Sequence, residues 1–96
     1  MSTGLKAMPR DADDEIDARL RALLAETLGL SIVRVAAFGP ETALFGALPE
    51  LDSMAVANLL TGIEERFDLL IEDDDVEAED FETYGRLLAF VERLGN

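Results

Sequence analysis

The apolar positions fall into three periodic blocks, separated by two stretches that keep their apolar residues but lose the period. In the first block Ile16, Leu20, Leu23, Leu24 and Leu28 recur at helical spacing, acids crowd the first turn, and Gly29 supplies a left-handed stop. A helix over residues 12–28 is expected. The second block is the clearest: Val56, Leu59, Leu60, Ile63 and Phe67 lie at i, i+3, i+4, i+7 and i+11, one stripe of a helix entered at Asp52-Ser53. Gly62 inside that helix costs up to about 1 kcal/mol relative to alanine, so its presence implies a close helix contact. In the third block Thr83 caps a helix whose core face is Tyr84, Leu87, Leu88, Val91 and Leu94, with Gly95 at its end.

Residues 30–52 are apolar but poorly periodic. "LSIVRVAAF" has the composition of a short strand, while "GPETALFGALPEL" contains two prolines and two glycines. The segment is read as a long ordered loop with one or two helical turns, packed through Ile32, Val33, Val35, Phe38, Leu44, Phe45, Leu48 and Leu51. Loops of this length in small domains are uncommon and are either functional or a sign of a wrongly assigned element. After Phe67, "DLLIEDDDVEAEDFET" offers Leu70, Ile71, Val76 and Phe81 as apolar anchors and a short helix near residues 74–79. Residues 1–10 show no period and are expected to be flexible, leaving 11–96 as the domain. The predicted fold is all-α, a bundle of three main helices plus one short helix, with the long loop between the first two.

Composition narrows what such a bundle can do. A chain of 96 residues, 49% hydrophobic, supports one domain with a single modest core. It has no cysteine and no histidine, which removes disulfides, thiolate nucleophiles, the usual zinc ligand sets and any Ser-His or Cys-His pair. An enzyme is therefore not expected. The net charge of −13 disfavours nucleic acid, whose phosphates would be repelled, and suits a basic protein surface. No apolar run approaches the roughly 18 residues of a membrane span, and "MSTGLKAMPRDADDE" lacks the apolar centre of a secretory signal, so a cytoplasmic protein is expected. Nothing demands more than a monomer.

The acidic run "DDDVEAED" invites a calcium loop, but with Asp73 at position one the obligatory glycine and glutamate positions hold Ala78 and Tyr84. A solvated acidic face is the better reading, and no metal site is expected. Glu64 and Asp68 share a helix face at i, i+4, yet general acid-base work needs a cleft that the pattern does not promise. There is no glycine-rich phosphate loop. That leaves Ser53. Asp52 can serve as N-cap and serine is common in first turns, so capping is the better-supported role on local chemistry alone. Three features pull the other way. Amides and the macrodipole at the entrance of the best helix favour an attached phosphate, Leu51 and Met54 offer apolar flanks, and the acids downstream suit a basic partner.

The string "LPELDSMAVANLLTGIEERFDLLIEDDDV", followed by "FETYGRLLAFVERL", resembles an acyl carrier protein over residues 11–94. The resemblance lies in the Asp-Ser-hydrophobe motif, the helix ending in "EERF", the isoleucine-acid-acid turn and the late helix, with "ETALFGALPELDS" as the loop leading into the modified serine. It implies that Ser53 accepts 4'-phosphopantetheine as a phosphodiester, beside Asp52 and Met54, and that the arm's thiol carries acyl groups as thioesters. It also implies a phosphopantetheinyl transferase as loader, and an acyl-activating ligase, acyltransferase or ketosynthase of lipid or polyketide biosynthesis as client. Glu64, Glu65 and Asp68 are then the acids that meet these partners. A narrower likeness is to the small carriers associated with exosortase and extracellular-polysaccharide gene sets.

Departures from the family are specific. Ala55 and Asn58 stand where fatty-acid carriers usually have acids, Glu50 replaces a common glycine and follows Pro49, and Met54 replaces leucine. The competing reading is an unmodified acidic helical adaptor for a basic protein, docking through residues 64–80. In either case like charges within about 10 Å repel at low ionic strength and are screened near 0.1 M salt. The melting temperature is expected to rise on adding salt; a fall in thermal melts would contradict this account of the charge.

Overall fold

The computed structural model describes residues 8–95, with side chains from Glu15 onward. Helix α1 spans Met8–Leu28, so it starts four residues before the expected position 12. Residues 1–7, and with them most of the segment expected to be flexible, lie outside the described residues. Gly29, at φ +70°, ends α1 and lets the Leu30 amide reach the Ala25 carbonyl at 3.0 Å.

Helix α2, Ile32–Ala36, is the helical turn of the long connection, and no strand forms there. Ser31 caps it by accepting from the Arg34 amide at 3.0 Å, while Arg21 of α1 donates to the carbonyls of Val35 and Ala36 at 2.7 and 3.2 Å. Of its apolar residues Val35 is buried, but Ile32 and Val33 are 67% and 80% exposed, against the expectation that both would pack. With only five residues, α2 turns one face to α1 and leaves the rest in solvent.

Helix α3, Ser53–Phe67, and helix α4, Tyr84–Leu94, stand where the sequence put them. Their buried lines are shifted. In α3 the core takes Ala55, Leu59 and Ile63, an i, i+4, i+8 row, while Val56, Leu60 and Phe67 are half-buried at its flank. In α4 Phe90 is buried with Tyr84, Leu87 and Val91, and Leu88 and Leu94 are half-buried. Helix α1 packs against α2, α3 and α4 through Leu20, Leu23, Leu24 and Leu28. Gly62 permits the α1–α3 approach: a Cβ there would lie 2.7 Å from Leu23 Cδ1.

The short helix expected at 74–79 is instead two 3₁₀ turns, Asp73–Asp75 and Ala78–Phe81, divided by extended backbone at Val76 and Glu77. The acids themselves set this geometry. Asp75 accepts from the Glu72 amide at 3.0 Å and Asp80 from the Glu77 amide at 2.9 Å, so each turn is closed by its own carboxylate. The fold class is as predicted, all-α with three long helices, and the short α-helix lies in the first connection.

Residues 40–45 and 81–85 run antiparallel and exchange backbone bonds. Leu44 and Phe45 donate to Glu82 and Phe81 at 2.8 and 2.9 Å; Tyr84 and Gly85 donate to Thr42 and Pro40 at 2.9 Å each. With Thr83 Oγ1 accepting from Arg86 at 3.2 Å and its carbonyl from Leu87 at 3.1 Å, the first four amides of α4 are all satisfied. A Cβ at Gly85 would sit 2.7 Å from the Pro40 carbonyl oxygen, which is backbone and cannot swing away. Gly85→Ala is therefore expected to destabilise the fold by about 1–3 kcal/mol in urea titrations; unchanged stability would show that the pairing is not tight.

Candidate functional site

Asp52 begins α3 with extended backbone, φ −99° and ψ −173°, and its Oδ1 accepts from the Ala55 amide at 2.9 Å. Its carbonyl takes the Val56 amide at 2.9 Å. These two bonds leave the amides of Ser53 and Met54 at the helix mouth, where the macrodipole favours a negative group. Ser53 is exposed, and Met54 beside it is 73% exposed. The Asp52 carboxylate is thus committed to holding the helix entrance rather than poised to move a proton.

The loop before the serine is a chain of tight turns with leucines inward. Leu44 accepts from the amides of Ala47 and Leu48 at 3.0 and 2.8 Å, Leu48 accepts from Leu51 at 3.0 Å, and Leu44, Leu48 and Leu51 are buried. Gly46, at φ +92°, makes the reversal that a side chain would resist. Glu50 reaches Arg34 of α2 at 3.4 Å and ties the loop sideways.

Two hollows meet at Ser53. One is an apolar groove of about 210 Å³ walled by Phe45, Val56, Ala78 and Phe81. The other, of about 460 Å³, lies on the loop side along residues 45–49 and 51–53. Phe45 and Ser53 border both. Phe45 is 46% exposed, although its backbone is fixed on Phe81.

The acids named from sequence do not converge on the serine. Glu64 lies eleven residues on, about 16 Å along the helix axis, and its Oε2 accepts from the Ile71 amide at 2.8 Å. Glu65 is exposed, and Asp68 is exposed at the left-handed end of α3, φ 55°. Ala55 is buried and belongs to the core. Phe45, Val56 and Phe81 appear in the sequence as apolar anchors; their meeting at Ser53, and the part played by Ala78, have no local signal. They are brought together by the pairing of 40–45 with 81–85.

Comparison with known proteins bears on this geometry. The family model described as "Phosphopantetheine attachment site" matches residues 18–91. Among solved structures, a holo acyl carrier protein from Nitrosomonas europaea, determined by solution NMR, is 42% identical, with a TM-score of 0.72; the match covers 81% of this chain and 92% of that one. A search of curated proteins finds no match. The cap that opens the site can be tested directly. Asp52→Ala is expected to lose about 0.5–2 kcal/mol in chemical denaturation, and Asp52→Asn much less; equal losses would show that the carboxylate acts by charge and not by accepting the Ala55 amide.

Proposed function

The chain belongs to the phosphopantetheine-attachment family of acyl carrier proteins, and from that premise we propose that Ser53 is the residue that bears the arm and that the loaded protein presents acyl thioesters to partner enzymes. A carrier of this family is not itself a catalyst and bears 4'-phosphopantetheine covalently. The observation that carries the reading is an exposed hydroxyl at a helix mouth with two open first-turn amides, bordered by two hollows.

The residues present fit the group. The amides of Ser53 and Met54 suit a phosphodiester, and Asp52 keeps the first turn of α3 formed by capping it. Met54 supplies an adaptable apolar contact beside the attachment point. The group, when bound, supplies the thiol that a cysteine-free chain lacks.

A carrier serves synthesis enzymes, and here the proposed loader is a phosphopantetheinyl transferase. The proposed clients are an acyl-activating ligase, acyltransferase or ketosynthase making lipids or polyketides. Glu65 and Asp68, exposed at the far end of α3, are the proposed contacts for basic partner surfaces; Glu64 contributes less, since its carboxylate already serves Ile71. The carrier domain is taken as residues 11–96, a cytoplasmic monomer. Among the described residues no helix is long and apolar enough to cross a membrane.

Incubation with coenzyme A and a broad-range transferase, followed by intact-mass measurement, tests the reading. The wild type is expected to gain one phosphopantetheine and Ser53→Ala none. An unmodified wild type would favour the acidic adaptor instead, and a modified Ser53→Ala would move the attachment to another residue.

A further inference from the structure

We propose that the loop-side hollow along residues 45–49 and 51–53 is the resting place of the pantetheine portion of the arm, and that the Phe45 ring is the partition keeping that portion out of the apolar groove. This rests on Ser53 being the attachment residue. Anything bonded to the Ser53 hydroxyl starts on the boundary between the two hollows, because both have Ser53 and Phe45 in their walls. The tether raises the local concentration to on the order of millimolar or more, so weak contacts suffice to bias the choice.

The two hollows differ in chemistry. Apart from Ser53 the groove is walled by Phe45, Val56, Ala78 and Phe81, which offer side chains without a polar atom. The pantetheine portion carries two amides, a hydroxyl and a geminal dimethyl group. Amides placed among those rings and methyls would leave water without replacement partners, which is unfavourable. The loop-side hollow is different. Gly46, having no side chain, lines it with backbone, and the carbonyls of Phe45, Gly46, Ala47 and Pro49 accept no hydrogen bond from the described residues. Ala47 and Pro49, exposed beside them, give the dimethyl group apolar contact. Acceptors and apolar surface together match an amide-bearing chain.

Phe45 is held in place to divide the two. Its amide is bonded to Phe81 at 2.9 Å, that of Leu44 to Glu82 at 2.8 Å, and the chain reverses at Gly46 immediately after. Phe45 stays 46% exposed although it neighbours buried Leu44 and Phe81, so it forms a wall rather than core filling.

Isotope-filtered NMR on the loaded protein, labelled in the polypeptide and unlabelled in the arm, tests the inference. The arm's methyl protons are expected to contact Ala47, Pro49 and the Phe45 ring, and the amide signals of Gly46 and Ala47 to shift on loading more than that of Ala78. Contacts to Val56, Ala78 and Phe81, or none beyond Met54, would overturn it. In Phe45→Ala, with the partition removed, contacts to both sets are expected; if that variant does not fold, Phe45→Leu keeps an apolar side chain and should show the same spread more weakly. A folded variant with the wild-type contact pattern would refute the partition. Intact mass, read first, separates the failures: no gain refutes attachment and this inference together, whereas a gain with the wrong contacts refutes this inference alone.

Discussion

Four backbone hydrogen bonds between residues 40–45 and 81–85 hold the rest of this structure in place. A connection of more than twenty residues with one short helix carries many amides and carbonyls that need partners. Its middle finds them on the approach to α4, and the same bonds satisfy the amides of Tyr84 and Gly85 at the N-terminus of that helix. One set of contacts therefore closes a helix end, orders a loop and sets Phe45 beside Phe81. Without it Leu44, Leu48 and Leu51 would have no fixed bed, and Ser53 would open onto a surface with no shaped hollows.

What was legible in the sequence is what is decided locally. Helices α3 and α4 announce themselves because Asp52 and Thr83 cap them through bonds to amides three residues on, to Ala55 and Arg86. Ser53 is a different case: local chemistry there favours capping, and only the resemblance of the whole string from the loop to α4 implies an attachment serine. Which side of a helix is innermost is a different matter, since it depends on the direction in which the partner crosses. Helix α1 lies over the row Ala55, Leu59 and Ile63, and the residues one step round, Val56 and Leu60, become flank. Phe90 wins its place because Phe81 packs near it, ring centroids 6.3 Å apart, a neighbour supplied by a turn that periodicity does not reveal. The apolar groove at Ser53 was invisible for that reason as well: its walls come from three segments.

The acidic excess plays more than one part. Asp75 and Asp80 close their own 3₁₀ turns, Glu64 secures Ile71 as the chain leaves α3, and Arg86 and Arg93 of α4 reach Glu79 and Asp80 at 4.0 and 3.9 Å. Exposed ion pairs of this kind contribute little each. The carboxylate-to-amide bonds matter more, because they close the two 3₁₀ turns that stand where a short helix was expected. A run that reads as a solvated face is in part the scaffold for Ala78 and Phe81, and hence for the groove beside Ser53.

Among the described residues a polar cluster ties α1, α2 and α4, and its bonds are all taken up within the frame. Tyr84 of α4 donates its hydroxyl to Asp17 of α1, Arg21 bonds the same carboxylate at 3.0 Å and lies 4.5 Å over the Tyr84 ring, and its guanidinium also holds the end of α2. Burial first, and then the bond to Asp17, raise the Tyr84 phenol well above its ordinary value, so it stays protonated and donating at any physiological pH. A perturbed ionisable group in a small protein invites a catalytic reading. Here the perturbation is accounted for by packing, and Tyr84 lines neither hollow at Ser53. The bundle concentrates its polar connectivity where three helices must be joined and leaves the serine end with an exposed hydroxyl, free amides and apolar walls. That division suits a carrier protein that serves synthesis enzymes: the cluster fixes the frame, and the serine proposed to bear the arm makes few bonds that an arm or a partner would have to break.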